Sequence, residues 1–267
     1  VTLRRAPDGA GGQIFFQKNL PAGAPNWVRT ITVPRRERGG DDTIDYPALD
    51  SLAALMWAVN LAALELHVPQ WQVDARARPR RPDLIVFDLD PGPGAGVAEC
   101  AAVAGLLRAA LGADGLDPVV KTSGSKGLQL YARVGRAPDD TRDYAHRLAQ
   151  DLERAHPDLV VSTMAKARRV DRVLIDWSQN STTKTTVAPY SLRIREAPTV
   201  SAPVTWDEVE GAATGRGPDL LALGPDDVRA RLESGGDLFA PLLGGGGQAV
   251  ARSRSARKTA SSSRSRS

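Results

Sequence analysis

The run Leu84-Ile-Val-Phe-Asp-Leu-Asp-Pro91 constrains this chain more than any other segment. Its apolar, β-branched lead-in and the Pro-Gly that closes it predict a buried strand with an abrupt end. Side chains alternate along a strand, so Leu84, Val86, Asp88 and Asp90 fall on one face, and Ile85, Phe87 and Leu89 on the other. The two carboxylates then stand side by side, roughly 6–7 Å apart by backbone rise. Like charges on a core strand are costly, and a bound divalent cation is the usual way to offset them. The strand therefore predicts a metal site. An Asp-x-Asp pair alone also suits a metal-dependent nuclease or a sugar-nucleotide transferase.

The rest of the chain narrows the choice of metal. Three histidines and the single Cys100 exclude a disulfide and argue against structural zinc, leaving oxygen ligands and hence magnesium or manganese. At 267 residues with 42% hydrophobic content, the chain is long enough for a sizeable core. No apolar run reaches transmembrane length and no signal-peptide pattern opens the chain, so a soluble intracellular protein is the expectation.

The net charge of +4 is unevenly distributed. Six of the 35 basic residues lie after Asp237, where no acid follows; without them 29 basic residues face 31 acidic ones, a body near −2. The Gly/Ser/Arg stretch 244–267 has too little apolar surface to fold and is expected to be a disordered basic tail. It suits nonspecific contact with phosphate backbones, and equally a solubilising end.

Residues 1–243 read as one mixed α/β domain, with neighbouring strand pairs favouring a mixed or antiparallel sheet over a purely parallel one. Strands are predicted at 14–17, 28–33, 84–90, 118–121, 128–134 and 173–177, with an extended stretch at 187–194. Helices are predicted from Asp45 through Leu66, at 97–111, at 140–155, and from Asp207 and Asp226 onward.

Two further segments carry chemistry. Lys121-Thr-Ser-Gly-Ser-Lys-Gly127 is a small-residue loop whose N–H groups suit an anion nest, and Lys121, Ser123 and Lys126 add phosphate donors. It lacks Walker A spacing, and an ordinary hairpin connection explains it as well. Val173-Leu-Ile-Asp-Trp-Ser-Gln-Asn180 places Asp176 in an apolar strand, either as a satisfied acceptor or as a third metal ligand. Arg193 suits a bidentate phosphate clamp, or simply the surface.

Seven ordered motifs together resemble the polymerase domain of bacterial multifunctional DNA ligase D, within the archaeo-eukaryotic primase superfamily. They are Phe15-Phe-Gln-Lys-Asn19, Pro25-Asn-Trp27, Glu65-Leu-His67, Phe87-Asp-Leu-Asp-Pro91, the 121–127 loop, Leu174-Ile-Asp-Trp-Ser-Gln-Asn180 and Ala188-Pro-Tyr-Ser-Leu-Arg193. The resemblance implies a primase-like α+β core and a nucleotidyltransferase that adds ribo- or deoxyribonucleotides to DNA ends and gaps in nonhomologous end joining. It implies two manganese or magnesium ions on Asp88, Asp90 and Asp176. The triphosphate would meet Ser123, Lys126, Arg193 and His67, with Gln179 in the same pocket.

The resemblance also assigns Phe15, Phe16 and Lys18 to DNA. On the residues alone, one Phe ring in the core and a structural His67 at a helix end are the simpler expectations. The implied partners are gapped or overhanging DNA, a Ku-type end-binding protein and a separate ligase, in a cytoplasmic, nucleoid-associated setting without membrane. Gln129 stands where relatives often carry histidine, which predicts a weaker, uncharged phosphate contact. Relatives also carry basic residues ahead of Phe15, so a truncated start or a lost DNA grip is expected. An inactive DNA-binding module kept from such a polymerase is the remaining alternative.

Overall fold

The computed structural model describes residues 1–34, 43–134, 141–217 and 221–243. The expected tail, 244–267, lies outside them.

Fourteen strands and five helices of the described residues follow in the order β1 Thr2–Arg5, β2 Phe15–Gln17, β3 Thr30–Pro34, β4 Thr43–Pro47, α1 Leu52–Asn60, β5 Ala63–Val68 and β6 Leu84–Pro91. Next come α2 Val97–Ala113, β7 Val119–Thr122, β8 Leu128–Arg133, α3 Thr141–Ala155, β9 Val160–Val161 and β10 Val173–Asp176. The chain continues with β11 Thr186–Val187, β12 Leu192–Arg193, β13 Thr199–Val200, β14 Pro203–Val204, α4 Trp206–Ala213 and α5 Pro225–Gly235.

The strands form a mixed α+β architecture with two principal sheets. The six-stranded sheet runs β14-β7-β8-β6-β10-β9, and the four-stranded one β11-β5-β1-β2. Pairings are antiparallel except β10 with β9, so a mixed sheet is what the fold contains. β3 with β4 and β12 with β13 make separate two-stranded ladders.

β6 alternates as its sequence requires. Ile85, Phe87 and Leu89 are fully buried against Cys100, Val103, Ala104, Leu107 and Leu111 of α2, in the main core cluster. Burying each large side chain contributes about 1.5–3 kcal/mol, and this face anchors the strand. On the other face Val86 is buried with Tyr131, Phe239 and Leu242, Asp88 is half-buried and Asp90 is exposed. α2 starts at Gly96, whose N–H donates to Glu99 Oε2 at 2.7 Å.

Two expectations need correction. Asp45-Tyr-Pro-Ala opens no helix: Thr43–Pro47 pairs with β3, and Ile44 and Tyr46 are buried with Ile31. α1 begins only at Leu52, where Ser51 Oγ accepts from Ala54 N at 3.2 Å. Nor does that helix reach Leu66. It stops at Asn60, Ala62 turns the chain at φ 55°, and Ala63–Val68 becomes a strand. Helix propensity favours the Ala/Leu run, but strand partners on both sides, β1 and β11, override it. His67 therefore lies on a strand opposite Thr2 rather than at a helix end. Likewise 187–194 is not continuous; Tyr190, at φ 65°, divides it into β11 and β12.

Candidate active site

Register across the six-stranded sheet assembles the centre of the site. Lys121 on β7 lies opposite Gln129 on β8, Gln129 opposite Asp88 on β6, and Asp88 opposite Asp176 on β10. Directly opposed residues of antiparallel strands project to the same face about 4.5–5.5 Å apart, so four strands present one polar row. Asp90 stands one step along β6 on that face.

The acids have little to neutralise them. Burial, then the charge of Asp90, pushes the Asp88 carboxyl up to about 7; a hydrogen bond from Gln129 acts in the other direction. Asp90 is exposed as a residue, yet its carboxyl is raised by lost hydration and then by the charge of Asp176, with the charge of Arg169 acting in the other direction. Asp176 is better satisfied: Oδ1 accepts from Ser178 N at 2.9 Å and Ser178 Oγ at 2.5 Å, and Oδ2 from Gln179 Nε2 at 2.8 Å. Asp88 and Asp90 are each raised by neighbouring carboxylate charge, and an oxygen-only set of this kind suits a hard cation such as Mg²⁺ or Mn²⁺. Among the described residues, no three Asp, Glu, His or Cys side chains are grouped closely enough to hold a metal by themselves. Cys100 is buried under β6, its thiol pushed up by that burial, and takes no part.

The 121–127 loop forms the opposite wall of a cleft of about 350 Å³. His67, Asp88, Asp90, Ser123, Lys126, Gln129, Gln179 and Arg193 all line it. The loop packs too tightly for side chains at two glycines. A Cβ on Gly127 would stand 2.0 Å from Leu89 O, and one on Gly124, at φ +65°, 2.6 Å from Arg193 Cγ.

Most of its amides, however, are not free. Ser123 Oγ accepts from the N–H of Ser125 and of Gly127, each at 3.2 Å, and Thr122 Oγ1 accepts from Gly124 N at 3.2 Å. The N–H groups of Gly124, Ser125 and Gly127, part of the anticipated nest, are thus engaged within the loop, which leaves its side chains as the main donors. Arg193 NH1 is tied to the loop through Ser123 O at 2.7 Å.

Lys121 departs from expectation. Its side chain is fully buried, and Nζ donates to Gln129 Oε1 at 2.6 Å and Ser201 Oγ at 2.5 Å. Burial brings its ammonium down to about 7. It stands behind Gln129 and is absent from the cleft lining, so it holds Gln129 rather than reaching a phosphate.

Phe15 and Phe16 are 41% and 55% exposed, which sets aside the core-packing alternative for either ring. The Phe16 ring meets His67 edge-on at 5.6 Å. Lys18 Nζ donates to Thr183 O at 3.4 Å.

One residue was quoted only as part of a motif and given no role. Glu65, fully buried, holds His67 Nε2 at 2.7 Å and Arg4 NH1 at 2.8 Å, with Arg193 Nε 3.3 Å away. The signal available was its place two residues before His67, on the same face of a strand; reading that stretch as helix hid it.

A mixed α+β core whose cleft carries Asp88 and Asp90 on one wall and phosphate-type donors on the other suits the class of nucleotidyltransferases. The sequence matches the family described as LigD, primase-polymerase domain, over residues 1–239, and the chain belongs to that family of nucleotidyltransferases. It is 42% identical over 246 residues to the multifunctional non-homologous end joining protein LigD of Mycolicibacterium smegmatis, covering 91% of this chain and 31% of that protein. It is 44% identical over 250 residues to the Mycobacterium tuberculosis protein, covering 91% and 32%. The Bacillus subtilis bifunctional protein is 32% identical over 242 residues, covering 90% and 37%. The chain thus spans about a third of the length of these relatives. The solved polymerase domain of Mycobacterium tuberculosis ligase D, in complex with DNA, superposes with a TM-score of 0.82 at 43% identity, covering 90% of this chain and 83% of that one.

Proposed function

We propose that this chain extends DNA 3′ ends and fills gaps with ribo- or deoxyribonucleotides during nonhomologous end joining. The observation that carries the reading is the polar row across β8, β6 and β10. It sets Asp88 and Asp176 side by side, with Asp90 at the mouth of a cleft whose far wall is Ser123, Lys126 and Arg193.

In this reading Asp88, Asp90 and Asp176 hold two Mg²⁺ or Mn²⁺ ions, whose chemistry is to acidify the primer hydroxyl and to neutralise the triphosphate and its leaving group. The protein groups bind and orient. Lys126 and Arg193 meet the triphosphate as cations, Ser123 donates from its hydroxyl, and His67 presents its free ring nitrogen. Gln129 steadies Asp88, and Gln179 steadies Asp176. The exposed Phe15 and Phe16 rings suit stacking on template bases or sugars, with Lys18 near the backbone. No protein nucleophile is required.

DNA as partner is supported by the solved relative, which was determined with DNA. A Ku-type end-binding protein and a separate ligase are part of the same proposal, which the end-joining names of the relatives support only as a setting. No helix of the described residues is long and apolar enough to cross a membrane.

Incubating a gapped duplex with labelled nucleotides and Mn²⁺ tests the reading. Extension is expected from the parent and none from Asp90→Ala; degradation of the duplex, or no product at all, refutes it.

A further inference from the structure

Glu65 has no exposed surface, yet its two oxygens gather three hydrogen-bonding groups and a neighbouring guanidinium from three chain segments. Oε1 faces His67 Nε2 at 2.7 Å. Oε2 accepts from Arg4 NH1 at 2.8 Å and from the backbone N–H of Ile194 at 3.2 Å, with Arg193 Nε 3.3 Å away. Arg4 pairs directly opposite Glu65 on β1, while Arg193 and Ile194 arrive from the β12 segment. The carboxylate thus joins the four-stranded sheet to the segment beside the phosphate loop. Burial pushes the carboxyl up, but His67, the charge of Arg193, the Ile194 N–H and Arg4 together outweigh it and hold the carboxyl down at about 2, so it stays ionised under ordinary conditions.

Stability alone does not call for a carboxylate here. Buried ion pairs are commonly no better for stability than apolar residues of the same shape. What a carboxylate does, and an apolar side chain cannot, is fix an imidazole through one oxygen and a guanidinium through the other. Both of those groups line the cleft, and among the described residues neither has another charged side chain in ion-pair contact. His67 otherwise meets the edge of Phe16, and Arg193 is held through a backbone carbonyl. Arg193 Nε lies within ion-pair range of Glu65 but lacks an aligned acceptor, so charge more than hydrogen bonding holds it.

We infer that Glu65 is a positioning residue for nucleotide binding: through one buried carboxylate it sets His67 and Arg193 together at the triphosphate end of the cleft. The inference rests on the nucleotide-addition reading above. An ionised Glu65 also commits His67 Nε2 as a donor, leaving Nδ1 as the ring nitrogen offered to the cleft. Loss of the carboxylate would free both groups at once, so the effect should fall on substrate affinity and far less on the chemical step.

The test is Glu65→Gln, assayed by primer extension and by equilibrium binding of a Mn²⁺–nucleotide complex. The expected result is a KM at least tenfold higher, a matching loss of binding, and a kcat within about threefold of the parent. Glu65→Asp keeps the charge and should recover part of the loss; it carries the test alone if the glutamine variant does not fold. In a His67→Ala background, Glu65→Gln should cost distinctly less than in the parent.

Unchanged KM and nucleotide binding in either folded variant, with only a lower melting temperature, would reduce Glu65 to a structural role and overturn the inference. If the parent binds nucleotide but extends nothing, the polymerase reading fails, while weaker binding by Glu65→Gln still upholds the positioning role. A parent that binds no nucleotide refutes both.

Discussion

At the scale of single residues, Lys121 separates what a motif suggests from what a fold does with it. In sequence it opens a Gly/Ser/Lys loop and reads as a phosphate donor. In the fold its ammonium is fully buried and held by Gln129 Oε1 and Ser201 Oγ. A lysine behind the cleft and a lysine in it predict different kinetics. Lys121→Met should leave the nucleotide KM within about twofold of the parent and lower kcat by about tenfold, because Gln129 loses its anchor beside Asp88. A direct phosphate contact would instead raise KM. Steady-state extension kinetics over a range of nucleotide concentrations distinguish the two. The alternation of Asp88 and Asp90 was legible because a two-residue period is local to one strand. The row from Lys121 through Gln129 and Asp88 to Asp176 was not, because it depends on the register of four strands, which no local pattern encodes.

At the scale of elements, the end of β10 shows how a short strand supports a longer neighbour. Pairing between β10 and β6 stops at Asp176 opposite Asp88, so the backbone of Val86 lies beyond the last ladder partner on that side. The Asn180 side chain takes the vacant place. Its Oδ1 accepts from Val86 N at 2.8 Å, and its Nδ2 donates to Val86 O at 2.7 Å and Trp177 O at 2.9 Å. An amide that imitates a strand residue pins the turn carrying Ser178 and Gln179, and through them Asp176. Asn180→Ala would leave a buried N–H and a buried C=O unpaired, each costing about 1–3 kcal/mol. Urea denaturation should show a loss of about 2–4 kcal/mol, and hydrogen exchange at the Val86 amide should quicken. Sequence reading caught this turn only as part of a motif. It misplaced α1 and β5 for a related reason: the Ala/Leu run carries a helix signal, and only the pairing of Ala63–Val68 with β1 and β11 decides otherwise. Pairing between distant segments is what propensity leaves out.

At the scale of the whole molecule, the cleft is a stability cost that the fold carries without its ligands. Asp88 is pushed up to about 7 by burial and by Asp90, so the folded chain holds its proton to a higher pH than the unfolded chain does. Its contribution therefore favours the fold below the ordinary carboxyl value of 3.8 and is lost as pH rises through 7. Glu65 titrates with the opposite sign: held at about 2, it stabilises above its ordinary 4.5 and ceases to do so as pH falls through 2. One carboxylate braces the pocket near neutral pH while the other strains it. Asp88→Asn removes the strain and the proposed metal ligand together. In chelator at pH 8 the variant should melt several degrees above the parent, at roughly 2–4 °C per kcal/mol for a chain of this size. The advantage should be largely gone near pH 4, where Asp88 is protonated in the folded parent and partly protonated in the unfolded chain. Adding Mn²⁺ at pH 8 should raise the parent's melting temperature by mass action and move the variant far less. Thermal melts at both pH values, with and without Mn²⁺, decide it; a variant no more stable than the parent at pH 8 would mean that the fold already neutralises Asp88 without a cation.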